Sequence, residues 1–63
     1  MKRLTEEIIV NEDDENPLLL KPSDEDGFLI CEIADGNICS EVYIYYNDIG
    51  ILIDKIRSNI LDI

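Results

Sequence analysis

The sequence predicts a small α+β domain: an antiparallel sheet of three or four strands with one C-terminal helix packed on one face. Three observations carry this. The chain has 63 residues, room for a single small domain. An Asp35-Gly36 pair stands between two runs rich in β-branched and aromatic residues. After Tyr46 the apolar period changes from about two to about 3.6.

The segment Leu4–Val10 (LTEEIIV) is ambiguous between a strand and a helical turn, and Ile8, Ile9 and Val10 lean it towards strand. Residues 11–16 (NEDDEN) form a polar acidic connection ending at Pro17. Leu18, Leu19 and Leu20 make a short apolar run closed by Pro22, which confines it to an edge or a short strand. Ser23–Gly27 (SDEDG) is a turn signal. Phe28–Ala34 is a strand, Asp35-Gly36 a type I′ hairpin loop, and Ile38–Tyr46 the return strand. Ile49, Leu52, Ile53, Ile56, Ile60 and Ile63 then repeat on one helical face, over a helix spanning 48–62. Asn47 is its candidate N-cap, Asp48 suits the first turn, and Lys55 and Arg57 suit the C-terminal part. Gly50 weakens the start of the helix by about 1 kcal/mol relative to Ala and allows it to begin a turn late.

A two-residue loop sets Ile33 against Ile38 and, in a regular ladder, Cys31 against Ser40 and Leu29 against Val42. One face then carries Leu29, Cys31, Ile33, Ile38, Ser40, Val42, Ile44 and Tyr46, and is the bed for the helix. The other carries Phe28, Ile30, Glu32, Cys39, Glu41, Tyr43 and Tyr45, a mixed face suited to contact. A slip of one residue exchanges these roles for one strand.

Composition narrows the chemistry. The chain holds 15 acidic and 5 basic side chains, no histidine, and a net charge of -10. That charge exceeds the magnitude of about 2–8 that keeps a small domain soluble. It repels phosphate backbones and anionic lipid heads, and attracts basic partners. Lys2 and Arg3 are followed at once by Glu6 and Glu7 without an apolar stretch, so the start does not read as a signal peptide. No apolar run approaches the ~18 residues of a membrane span. These features point to a cytoplasmic protein.

Catalysis lacks its usual parts. There is no His to act as a base, neither Cys has a histidine beside it, and the three glycines are isolated. In the regular ladder Cys31 and Cys39 point to opposite faces and cannot form a disulfide with each other; an intermolecular bridge through Cys39 remains open. Two thiols without His make no zinc site. An EF-hand frame with Gly27 at position 6 puts Asp24 and Asp26 at ligand positions, but Pro22 and Ile33 fall where the end ligands belong. No cofactor is implied.

What remains is surface: Glu12, Asp13, Asp14 and Glu15 in one loop, Asp24, Glu25 and Asp26 in another, and Glu32, Glu41, Tyr43 and Tyr45 on the mixed face. Carboxylates on a rigid frame can imitate a nucleic-acid backbone. In size, acidity and the order hairpin then helix, the chain is similar in kind to small phage-encoded inhibitors, anti-CRISPR proteins and DNA mimics among them; antitoxins and nuclease immunity proteins share the acidity. The expectation is a non-enzymatic protein that docks on the basic, nucleic-acid-binding surface of a partner such as a nuclease. The alternatives are an antitoxin or immunity protein against a basic toxin, a structural homo-oligomer whose mixed face completes its core (a homodimer in the simplest case), or a metal-binding module. Acidic loops that only solubilise the domain are the bland reading of the same residues.

Overall fold

The computed structural model describes residues 2–61. It is an α+β fold: a four-stranded antiparallel sheet in the order β1-β2-β3-β4, followed by one C-terminal helical segment. The strands are β1 (Ile8–Ile9), β2 (Leu18–Pro22), β3 (Gly27–Ala34) and β4 (Asn37–Tyr45), so consecutive strands pair and the sheet is a meander. The ambiguous segment before Asn11 thus supplies a two-residue strand. Because β1 pairs only with Leu19 and Leu20, it leaves Pro22, which has no N–H to offer, without a neighbour on that side.

The β3–β4 loop is the predicted two-residue turn. Asp35 (φ 54°) and Gly36 (φ 78°) both take positive φ, and Ala34 pairs with Asn37. Ile33 pairs with Ile38, but the ladder then shifts. Glu32 pairs with Ser40, Cys31 with Glu41, Ile30 with Val42, Leu29 with Tyr43 and Phe28 with Ile44. Cys39 is an extra residue in β4, a β-bulge, and both Cys39 and Ser40 oppose Glu32.

This one-residue slip corrects the face assignments made from the regular ladder. Val42 and Ile44 join Phe28, Ile30 and Leu20 on one face. Glu41, Tyr43 and Tyr45 join Gly27, Leu29, Cys31 and Leu19 on the other. The physical reason is apolar segregation. The unbulged register sets Glu41 opposite Ile30, whereas the bulge gives Ile30 and Phe28 the β-branched partners Val42 and Ile44. Glu32 and Glu41, expected on one face, therefore lie on opposite faces.

The polypeptide leaves β4 through a 3-10 turn (Tyr46–Asp48) into helix α1 (Ile49–Ile56), which ends in a π-helical turn (Arg57–Leu61). The helix thus starts at once rather than a turn late. Asn47 lies inside the 3-10 turn, and the N-cap residue Asp48 makes no side-chain capping bond; this replaces the expected Asn47 cap. Ser58 Oγ donates to the carbonyl of Asp54 (2.9 Å) and Asn59 Nδ2 to that of Lys55 (2.9 Å). These are the carbonyls the i+4 amides use in an α-helix, and the competition accompanies the widened last turn. Asp62 and Ile63, assigned to the helix and its apolar face from sequence, lie outside the described residues.

The helix meets the sheet through its first turn. Tyr46 is buried, stacks on Phe28 (centroids 5.7 Å apart, 27° between planes) and accepts a hydrogen bond from the Leu4 N–H at Oη (2.8 Å). Its own N–H donates to the carbonyl of Asp26 (2.9 Å). These bonds tie the N-terminal arm and the β2–β3 loop to the helix start, on the Phe28 face. From Gly50 to Leu61 every residue is exposed, so the helix does not lie along the sheet. Among the described residues the buried hydrophobic side chains are Leu19, Cys31 and Tyr46. A chain of this size is marginal on buried area even with a full core.

Candidate interaction surfaces

The acidic loops sit at opposite ends of the sheet. The loop after β1 lies where β2 begins, and the Pro17 carbonyl accepts from the Ile33 N–H (3.1 Å) near the far end of β3. The β2–β3 loop lies at the start of β3. The eight residues of β3, seven steps of about 3.4 Å, separate the two by about 24 Å.

Both loops are shaped by their own side chains. Asn11 Oδ1 accepts from the Leu18 N–H (2.7 Å), and its Nδ2 donates to Asp14 (3.2 Å). The Asp14 N–H closes a turn on the Asn11 carbonyl (3.0 Å), and its carboxylate accepts from the Asn16 N–H (3.1 Å). In the second loop Asp24 accepts from the Asp26 N–H (3.0 Å), an Asx-turn. Asp24 also accepts a short hydrogen bond from the Tyr43 hydroxyl. Glu12, Asp13, Asp14, Glu15, Asp24, Glu25 and Asp26 are all exposed.

Tyr43 and Tyr45 stand edge to face (4.9 Å, 83°) at the second loop's end of the sheet. They share a face with Gly27 and Leu29, not with Phe28 and Ile30 as the regular ladder implied. Gly27 is what lets Tyr43 reach Asp24. A Cβ on Gly27 would stand 2.7 Å from Tyr43 Cζ and clash with the Ile44 carbonyl oxygen. The Tyr43 bond holds the Asp24 carboxyl below its usual range, helped by the Asp26 N–H. Reciprocally, the Asp24 carboxylate pushes the Tyr43 hydroxyl far above its usual range. Sequence reasoning included both residues but did not join them, because the contact spans 19 positions and depends on the bulge.

The two glutamates of the strands are also engaged separately. Glu32 accepts from Cys39 Sγ (3.1 Å) and Ser40 Oγ (3.5 Å), the pair that the bulge sets opposite it. Glu41 accepts a long bond from Cys31 Sγ (3.9 Å). Glu32 raises the pKa of the exposed Cys39 thiol, and burial first, then Glu41, raises that of Cys31. Both cysteines are free, one buried and one exposed. Among the described residues no group of three or more His, Cys, Asp or Glu side chains is gathered as metal ligands would be.

A second surface was not singled out from sequence. A groove of about 370 Å³ opens between the N-terminal arm and the helix start, lined by Leu4, Ile8, Leu20, Phe28, Tyr46 and Ile49, with Lys2, Arg3, Thr5 and Glu6 also contributing to its wall. It continues into the apolar stripe of the helix, where Leu52 (42%), Ile53 (41%), Ile56 (36%) and Ile60 (73%) remain exposed. The 3.6-residue period is the signal for this stripe; that none of the described residues covers it emerges only from the fold.

Charge divides between the two surfaces. Residues 1–7 and 46–63 carry Lys2, Arg3, Lys55 and Arg57 against Glu6, Glu7, Asp48, Asp54 and Asp62, four cations to five carboxylates. Residues 8–45 carry ten carboxylates and one cation, Lys21. The sheet and its loops are the anionic part, and the arm and C-terminal segment the nearly balanced part.

These features define a class: a meander sheet with acidic, side-chain-ordered loops at both ends and an uncovered apolar helix. Comparison with protein-family models, with curated proteins and with solved structures finds no match. No helix among the described residues is long and apolar enough to cross a membrane.

Proposed function

We propose that the protein acts by binding rather than turnover, as a small inhibitor whose acidic loops dock on the basic, nucleic-acid-binding surface of a partner protein, in the manner of a DNA mimic or anti-CRISPR protein. The observation that supports this is the ordering of the acidic loops. Their carboxylates are exposed, yet the turns that carry them are fixed by Asn11, Asp14, Asp24 and Tyr43. Fixed charges lose less conformational freedom on docking than charges on a mobile tail. The seven loop carboxylates are separated into two clusters about 24 Å apart, and over that length one strand of duplex presents about seven phosphates. A cytoplasmic setting is consistent with two free thiols.

The test uses immobilised full-length chain in cell extract at about 0.05 M and about 0.5 M salt, where screening lengths differ severalfold. A partner that is released by salt, displaced by duplex DNA and lost with a variant carrying Glu12→Gln, Asp13→Asn, Glu15→Gln and Glu25→Gln supports the reading. Those four substitutions leave the turn-forming bonds of Asp14 and Asp24 in place. They are expected to slow association by about tenfold or more, as loss of steering charges does. Partners held equally by the variant, or indifferent to salt, sink it.

A further inference from the structure

We infer that the uncovered helix is the interface of an antiparallel, two-fold homodimer, in which the end of each helix seats in the groove at the start of the other. This stands independently of the acidic loops. The helix stripe Ile49, Leu52, Ile53, Ile56 and Ile60 is continuous, through Ile49, with the groove lined by Leu4, Ile8, Leu20, Phe28 and Tyr46, and neither is covered by the described residues.

Two observations select a second copy as the occupant. The first is charge. Two molecules of net charge -10 repel over most of their surfaces, and the arm and C-terminal segment, with four cations to five carboxylates, are where they can approach. The second is complementarity along the helix. Antiparallel packing sets Ile53 against Ile56 and brings Ile60 of the second copy over Ile49 and the groove. The helix C-terminus, with its partial negative charge, then meets the Lys2 and Arg3 side of the groove. A two-fold axis satisfies both ends at once, because one patch meets its own copy.

The two docking modes respond oppositely to salt. Binding of the acidic loops to a cationic surface weakens as salt is added, whereas self-association through an apolar patch tightens, because the mutual repulsion of two anionic chains is screened.

Sedimentation equilibrium of the full chain tests the inference. The expected mass rises with concentration from 7.2 kDa to twice that value, and the dissociation constant falls as salt rises. Ile56→Asp raises it by about tenfold or more. Ile51→Asp, on the opposite side of the helix, leaves it within about threefold. Should Ile56→Asp fail to fold by circular dichroism, the wild-type chain gives a second measurement. In a mixture of isotope-labelled and unlabelled chains, intermolecular NOEs are expected from the Ile60 methyls to Ile49 and the Phe28 ring. Ile49 and Ile60 stand about 16 Å apart along one helix, so such NOEs arise only between chains. A mass of 7.2 kDa up to millimolar concentration, a dimer that salt dissociates, a folded Ile56→Asp chain that still pairs, or a dimer without those NOEs overturns it.

Discussion

Tyr43, Asp24 and Gly27 form a small machine at the residue scale. Gly27 has no Cβ, the Tyr43 ring occupies the space, and its hydroxyl donates to the Asp24 carboxylate. The linkage has two signs. Asp24 titrates lower in the folded chain than its ordinary 3.8, so its contribution is present above that pH and lost as pH falls below it. Tyr43 titrates higher than its ordinary 10.0, so its contribution is full below pH 10.0 and lost as pH rises through the folded value. Ultraviolet titration should therefore show a tyrosine step well above pH 10.0, and Asp24→Asn should lower that step. If the folded wild-type chain shows no step above pH 10.0, the bond does not persist in solution. Cys39 is exposed but hydrogen-bonded to Glu32, which disfavours its thiolate. Alkylation of the folded chain should occur at Cys39 and accelerate severalfold in Glu32→Gln, while Cys31 stays protected.

Two elements carry glycines with opposite roles. Gly36 has φ 78° in the hairpin loop, where an L side chain costs roughly 1–2 kcal/mol, so Gly36→Ala should lower stability by about that amount in denaturant titrations. Gly50 lies within α1 with nothing near an added Cβ. Gly50→Ala should raise stability by about 1 kcal/mol. A destabilised Gly50→Ala chain would mean that the first helical turn is packed more tightly than this geometry shows. The sheet needs its bulge as well. Without Cys39 as an extra residue, Val42 and Ile44 would leave the Phe28 face, and the Tyr43 hydroxyl would no longer reach Asp24 from the Gly27 side. Deletion of Cys39 should therefore disrupt the Tyr43 titration signature along with the fold.

At the scale of the molecule, charge and apolar surface are separated over a body of 33 × 29 × 16 Å. The sheet half concentrates like charge, and ten carboxylates against one lysine oppose its compaction. Added neutral salt should raise the melting temperature of the free protein, at fixed protein concentration, through screening of that repulsion. A melting temperature independent of salt would mean that the carboxylates are too far apart to repel. The helix half lacks a cover, which is why stability should also depend on protein concentration.

The α+β class, the type I′ turn at Asp35-Gly36 and the apolar stripe of the helix can be read along the chain, because each follows from local chemistry: positive φ, β-branched runs and a 3.6-residue period. The acidity of the loops is read there too. Which strand residues share a face follows from the three-dimensional pairing instead. One extra residue at Cys39 reverses the faces along most of β4, and no local pattern marks it, since the preference for Val42 and Ile44 beside Phe28 and Ile30 is a contact between strands. The three-dimensional packing likewise ties the helical segment, among the described residues, to the sheet through Tyr46 and Ile49 and leaves its stripe exposed. Periodicity tells which side of a helix is apolar; what meets that side is set by how the chain leaves the sheet.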